Sequence, residues 1–243
     1  RVGRARRLAR WSLAAAVAAL VVAGAGLTLA RYDVIAKLAG FSALLGGGLV
    51  ALLALVLGLG SLFSGRGAAA PSRRTAWIGI AVALLYVGFL GSRPLAAGDA
   101  PAIHDVTTDL ASPPPFEVLP LRADNLVGVG TLENWRRIHE RAYADLGPVT
   151  IPRPVAAVTA DAARLAEQAG WKVAKVDPAR GHLEATASVS YIRFNDDVVL
   201  RIVPTQDGKG SRVDMRSVSR VGVGDLGVNA RRIREFLAAL AAA

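Results

Sequence analysis

Three uncharged stretches in the first part of this 243-residue chain constrain its fold more than any other feature. They run from Trp11 to Ala30, from Leu38 to Gly65 and from Thr75 to Ser92, bounded by Arg10 and Arg31, Lys37 and Arg66, and Arg74 and Arg93. About 20 apolar residues cross a hydrocarbon core of about 30 Å at a rise of 1.5 Å per residue. All three stretches meet that length, and the predicted spans are about residues 11–30, 41–63 and 75–92. Trp11, Phe41, Phe63 and Trp77 fall near span ends, where aromatic rings favour the membrane–water interface.

No Asp, Glu, Lys, Arg or His lies inside a span. Ion pathways and proton relays need ionisable groups within the membrane, so a pump or coupled transporter is not expected. Gly46-Gly47-Gly48, with Ser42 one turn earlier, lets helices approach closely. Packing among the three spans is the simpler use of these glycines, and packing on the helix of another membrane-protein subunit is the alternative.

The formal net charge of +10 would by itself suggest a nucleic-acid binder. Its distribution removes that reading. Residues 1–93 hold eleven Lys/Arg against one acid, Asp33, while residues 94–243 balance eighteen bases with eighteen acids. The excess flanks the spans. Arg1, Arg4, Arg6, Arg7 and Arg10 precede the first, and Arg66, Arg73 and Arg74 separate the second from the third. The first connection carries only Arg31 and Lys37 beside Asp33. The positive-inside rule then predicts a cytoplasmic N-terminus and a C-terminal domain on the far side, which for a bacterial inner membrane is the periplasm. A cleavable signal peptide is the alternative for the first span, since Ala23-Gly24-Ala25 resembles a cleavage site. The bilayer is the one partner this pattern requires, and no nucleic acid is expected.

Pro94 to Pro101 reads as a linker within residues 94–102, leaving 103–243 as a separate domain. Residues 103–150 show one helical pattern, Glu133 to Ala144, and a Pro113-Pro114-Pro115 run that forbids regular structure. The segment is expected to drape across other elements in extended form. A helix is predicted from Pro152 to Ala169, with Val155, Val158, Ala162, Leu165 and Ala166 on its apolar face and Gly170 ending it.

Four strands follow: Trp171–Asp177, His182–Phe194, Asp197–Val203 and Ser211–Val221. Pro178–Gly181, Asn195-Asp196 and Asp207–Gly210 are the turns between them, and connections this short make the strands antiparallel neighbours. In the second strand Leu183, Ala185, Ala187, Val189 and Tyr191 alternate with Glu184, Thr186, Ser188 and Ser190. The alternation slips at Ile192 and Phe194, which suggests a bulge. A last helix from about Asp225 to Leu240 presents Ile233, Phe236, Leu237 and Leu240. The fold class expected is three transmembrane α-helices followed by a two-layer α+β domain, a four-stranded antiparallel meander flanked by helices.

The chain has no cysteine, which excludes disulfides, thiolate metal sites and cysteine nucleophiles. Gly222-Val223-Gly224-Asp225-Leu226-Gly227 spells a dinucleotide fingerprint. That fingerprint works in a parallel βαβ unit, and here the preceding strand closes an antiparallel meander, so no cofactor is expected. Asp225 or Asn229 would instead cap the helix, and the backbone N–H groups of Gly222, Gly224 and their neighbours could hold an anion. The meander's polar face gathers Arg201, Arg212, Arg216 and Arg220 with Glu184 and Asp214. These either form cross-strand ion pairs or cradle an anionic headgroup, polymer or partner. Val199, Val203 and Val218 share that face, which points to partial cover by residues 103–150. His104 beside Asp105 and Asp109 has the composition of a general base with its orienting carboxylate. The three histidines, His104, His139 and His182, have no metal-ligand spacing, and no hydrolase signature occurs.

Several segments resemble a known family. Ile103–Asp109 (IHDVTTD), Asp197–Ile202 (DVVLRI), Ser211–Gly222 (SRVDMRSVSRVG), Asp225–Ala230 (DLGVNA), Arg232-Ile233-Arg234 and Phe236-Leu237 together are similar to domain of unknown function 1499. Residues 123–150 depart from it. The resemblance implies that N-terminal spans are at home beside such a domain. It also implies that Arg212, Asp214, Arg216, Ser219, Arg220, Gly222, Asp225 and Asn229 belong to a shared core pattern. It carries no catalytic residue. The function expected is a membrane-anchored periplasmic binding or interaction module. The alternatives are a subunit of an inner-membrane complex and, further off, an envelope enzyme using His104.

Overall fold

A computed structural model of the chain describes residues 2–65 and 70–243, so Arg1 and Arg66, two of the orienting arginines, lie outside the described residues. It divides into two compact units, one formed by Arg1–Gly98 with Tyr191–Arg193 and a second formed by Asp99–Ser190 and Phe194–Ala243. The first unit is three helices: α1 (Val2–Arg31), α2 (Lys37–Ser64) and α3 (Ala70–Ala97). Each is long and apolar enough to cross a membrane. Helix α3 continues to Ala97, four residues into the segment read as a linker.

Packing in this unit inverts the order water would impose. Ala16, Ala19, Ala23, Ala51, Ala54 and Ala83 are buried, whereas Val21, Leu49, Val56, Phe63 and Leu85 are exposed. Small residues inside and large aliphatics outside suit a solvent as apolar as leucine. A Cβ at Gly40 would lie 2.7 Å from the Gly26 carbonyl oxygen, and one at Gly47 would lie 2.9 Å from that of Ala19. Ser12 Oγ donates to the Ala54 carbonyl, Ser61 Oγ to Ala5 and Tyr86 OH to Leu44, each at 2.8 Å. Gly47 and Gly48, the latter against Leu90, are thus used in packing among the three helices.

The second unit is an α+β domain whose sheet has six strands, two more than expected. They are β1 (Asp105–Thr107), β2 (Val149–Ile151), β3 (Lys172–Asp177), β4 (His182–Val189), β5 (Phe194–Pro204) and β6 (Ser211–Ser219). The order is β1-β6-β5-β4-β3, with β2 also paired to β6, and every pairing is antiparallel. The predicted meander is present as β3–β6. Strands β1 and β2 pair with opposite halves of β6, which makes β6 an interior strand. Three-residue strands are too short for alternation to reveal them.

The turn between β4 and β5 is Ser190–Arg193, not Asn195-Asp196, and the slip at Ile192 marks this turn rather than a bulge. Ser190 and Arg193 adopt φ of 63° and 60° there. Asn195 and Asp196 lie in β5, opposite Ser188 and Ala187.

Helices α5 (Val155–Gln168) and α6 (Val228–Ala242) cover one face of the sheet. Val158, Ala162 and Ala166 of α5 and Ile233, Phe236, Leu237 and Leu240 of α6 bury against Leu183, Val198, Leu200, Val213 and Met215. Trp171 stacks on Phe236 at a centroid distance of 4.7 Å. Helix α6 begins at Val228 rather than Asp225, because Asp225–Gly227 form the turn that caps it. Helix α4 (Leu132–Ala142) supplies what the edge of β1 lacks. Trp135 Nε1 donates to the Asp105 carbonyl at 2.9 Å, and His139 Nε2 accepts the Thr107 N–H at 3.1 Å. Two side chains of one helix thereby satisfy an open sheet edge.

Candidate functional site

The sheet face away from α5 and α6 carries the polar residues that the sequence singles out. Antiparallel register places side chains in rows, because directly opposed residues share a face. One row is His182, Arg201 and Asp214, and the next is Glu184, Val199, Arg216 and Thr107. The third is Thr186, Asp197, Val218 and Asp105. Bases stand in the first two rows and acids in all three, so opposite charges are neighbours across the face.

All four predicted arginines are ion-paired. Arg201 Nη2 reaches Asp109 at 2.8 Å and Asp214 at 3.2 Å. Arg212 reaches Asp214 at 3.2 Å and Asp109 at 3.7 Å. Arg216 grips Asp105 with two bonds of 2.9 and 2.6 Å, and Arg220 grips Asp197 with two of 2.8 Å. Burial separates them: the Arg216 side chain is 12% exposed, those of Arg212 and Arg220 45% and 43%. Buried paired guanidinium is bracing, since removing one partner leaves the other charged in a poor solvent. Arg212 and Arg220 pair with carboxylates that are themselves buried, but each keeps part of its guanidinium in solvent, where another anion can reach it.

Residues 109–122 lie over this face as an irregular strap. Arg201 Nη1 donates to the Ser112 carbonyl at 3.0 Å, and the Arg216 guanidinium lies 5.9 Å from the Phe116 ring centroid. The strap is clipped at its centre by Glu184, whose carboxylate is fully buried. It accepts the consecutive backbone N–H groups of Glu117, Val118 and Leu119, the last at 2.7 Å, and faces His182 Nε2 at 2.8 Å. Burial raises the carboxyl, but those N–H groups and His182 outweigh it and hold the pKa below the usual glutamate value. Outside the clip, Lys175 and Arg180 hydrogen-bond Glu117 and bring its carboxyl down to about 2. The predicted cover from residues 103–150 is this strap.

The glycine-rich turn is occupied by the protein's own backbone. Asp225 accepts the N–H groups of Gly227 at 2.8 Å and Asn229 at 2.6 Å, as a helix cap does. Burial raises the Asp225 pKa despite those bonds. A Cβ at Gly224 would meet the Ala102 Cα at 3.0 Å, while Gly222 takes a φ of 91°. Asn229 is fully buried and donates to the His104 carbonyl and Ser219 Oγ while accepting from Ser217 Oγ and Arg232. Arg232 goes on to Asp196 at 2.7 Å, completing a buried network under α6. Asn229 thus joins α6 to the sheet.

The His104 constellation separates on folding. Its Nδ1 donates to the Val223 carbonyl at 3.1 Å, while Asp105 goes to Arg216 and Asp109 to Arg201. Neighbouring residues in an extended segment point to opposite faces, so His104 and Asp105 do not converge. Among the described residues no three of His, Asp and Glu gather where they could hold a metal.

Three participants escape the sequence reading. In the sequence Asp196 has the look of a turn residue, Arg232 stands out only by its family likeness, and His139 only as one of three histidines without metal-ligand spacing. His139 had a visible signal, the i, i+4, i+8 spacing of Trp135, His139 and Tyr143, whose rings pack at 5.6 and 5.4 Å. Burial lowers the His139 pKa and raises Tyr143 to about 12.

A shallow groove lies between the strap residues Phe116, Pro120, Leu121 and Arg122 and the sheet residues Asp197, Val218 and Arg220. Phe116, Pro120, Leu121 and Val218 give it an apolar part, beside which stand two guanidinium groups, the Asp197 carboxylate and Ser219. Arg122 is held by Asp124 through two 2.7 Å bonds and donates to the Gly222 carbonyl at 2.8 Å.

No curated protein and no solved structure matches the chain. Residues 105–240 match DUF1499, a family described as proteins of unknown function. The match spans β1 to α6, more than half of the chain, and takes in the arginine–carboxylate lattice, the strap and the Asn229 network. The chain belongs to the DUF1499 family of proteins of unknown function.

Proposed function

We propose that this protein is a membrane-anchored interaction module. The three apolar helices hold it in a bacterial inner membrane with its N-terminus in the cytoplasm, and residues 103–243 face the periplasm. There the domain takes an anionic ligand or partner segment at the groove beside Arg122 and Arg220. One observation carries the binding part: the groove combines Phe116, Pro120, Leu121 and Val218 with Arg220, whose side chain is 43% exposed. Such a site suits a ligand with an anionic head and an apolar body. Arg201 and Arg216 brace the strap in this reading, and the anion contact narrows to Arg220, with Arg212 further along the face.

The test is native mass measurement of the full chain in mild detergent, with wild type and Arg220→Gln compared for copurified anionic molecules. Capture lost while the domain stays folded supports the proposal. Capture retained, or stability lost with capture unchanged, leaves Arg220 a brace. A reporter fused after Arg93 that is active only in the cytoplasm overturns the orientation.

A further inference from the structure

Where the glycine-rich turn sits on the sheet gives it a second meaning. Strand β6 has a loop at each end: Thr205–Gly210 precedes it, and Arg220–Gly227 follows it. Eight residue steps from Ser211 to Ser219 separate the two by about 26 Å at 3.3 Å per residue. The first loop, with Asp207, Gly208, Lys209 and Gly210, is polar. The second exposes Val223 (43%) and Leu226 (60%), and Leu226 is held at a φ of 56°. A bulky side chain in the left-handed region is uncommon. Arg231, one turn into α6, is exposed and has no carboxylate partner among the described residues.

The chain itself sets the reach of this loop. Gly224 and Gly227 pack against Ala102 and Ala100. The third apolar stretch ends at Ser92, and α3 stays helical to Ala97. Five helical steps and three extended ones separate Ser92 from Ala100 by no more than about 18 Å. An interfacial layer extends several ångströms beyond the hydrocarbon on each side. Exposed aliphatic residues beside an unpaired arginine are the composition that layer selects.

We propose that the Val223–Leu226 loop is a lipid-contacting surface. Its two aliphatic side chains enter the interfacial layer of the bilayer that holds α1–α3, with Arg231 at the level of anionic headgroups. The proposal rests on those helices crossing a membrane, and the experiment separates the two.

Because the chain lacks cysteine, a single introduced thiol is a clean reporter. Leu226→Cys, Asp207→Cys and Leu53→Cys are each labelled with an environment-sensitive fluorophore. Each chain is then reconstituted in phosphatidylcholine–phosphatidylglycerol vesicles without spin label, with lipid spin-labelled near the headgroup, or with lipid spin-labelled deep in the acyl chain, which reads Leu53. The label at Leu226 is expected to emit to the blue of that at Asp207 and to be quenched severalfold by the spin-labelled lipid. If Leu53 is lipid-exposed and Leu226 is no more quenched than Asp207, the loop proposal is overturned while the spans stand. If Leu53 shows no lipid contact, the spans themselves are refuted. A blue-shifted but unquenched Leu226 label, dependent on protein density, assigns the loop to a second copy of this chain and also overturns the proposal.

Discussion

Glu184→Ala would remove the acceptor that clips the strap to the sheet. The carboxylate is fully buried and takes three consecutive backbone N–H groups, so truncation leaves three donors with no acceptor in place. An unsatisfied buried donor costs about 1–3 kcal/mol. The strap lies at the surface and can lift to let water in, so the low end applies, about 3 kcal/mol for the three. That corresponds to a roughly hundredfold larger open population of the strap.

Hydrogen exchange of the full chain in detergent reads this directly. The amides of Glu117, Val118 and Leu119 should exchange about a hundred times faster in Glu184→Ala, while the α5 and α6 amides change little. Glu184→Gln keeps one acceptor oxygen and should fall between. Lys175→Ala, which removes only a partly exposed pair with Glu117, should leave the strap near wild type. Acid provides an independent arm. The folded pKa of Glu184 lies below its ordinary value of 4.5, so its contribution is complete above that value and is lost as pH falls through the folded pKa. Strap protection, corrected for intrinsic exchange, should therefore decline below about pH 4.5 in wild type and show no such step in Glu184→Gln. Wild-type exchange at Glu117–Leu119 in the alanine variant would refute the clip.

Other substitutions test the remaining parts of the domain. Arg216→Ala strands the buried Asp105 carboxylate and should cost about 3–5 kcal/mol in denaturant unfolding, whereas Arg212→Ala should stay within about 1 kcal/mol; equal losses would contradict the division into brace and rim. Asn229→Ala unties Ser217, Ser219, Arg232 and the His104 carbonyl, and should lower unfolding stability by about 2–4 kcal/mol. His139 is neutral in the fold, with its pKa depressed from 6.5, so the unfolded chain binds more protons below that value. Domain stability should accordingly fall as pH drops from 6.5 toward the folded pKa, and His139→Phe should abolish that slope at the expense of the Thr107 N–H bond.

How much was legible in the sequence follows the range of the interactions involved. The meander was readable because β3 to β6 are joined by short turns, so each strand's partner is its neighbour in the chain. Its alternation also separated Leu183, Ala185 and Ala187 from Glu184 and Thr186. The middle turn falls elsewhere than its local chemistry suggests: Asn195-Asp196 has turn chemistry, yet Asp196 is needed in β5 for the buried bond to Arg232. Tertiary pairing overrode local preference there. The arginines were found by composition on one face, but their roles were not: Asp105 and Asp109, which pair with Arg216 and Arg201, lie about a hundred residues earlier.

The sequence alone determined the division of the molecule. Apolar length and the gathering of every excess positive charge before residue 94 separate three candidate spans from a charge-balanced domain, and both are sums along the chain. Only the tertiary structure decided which polar residues brace and which stay available. It joined β1 and β2 to β6, drew the strap over the lattice, and split His104 from the two acids beside it. Those outcomes depend on burial and on partners far apart in sequence. A guanidinium is a brace at 12% exposure and a candidate contact at 43%, with the same side chain and the same kind of partner.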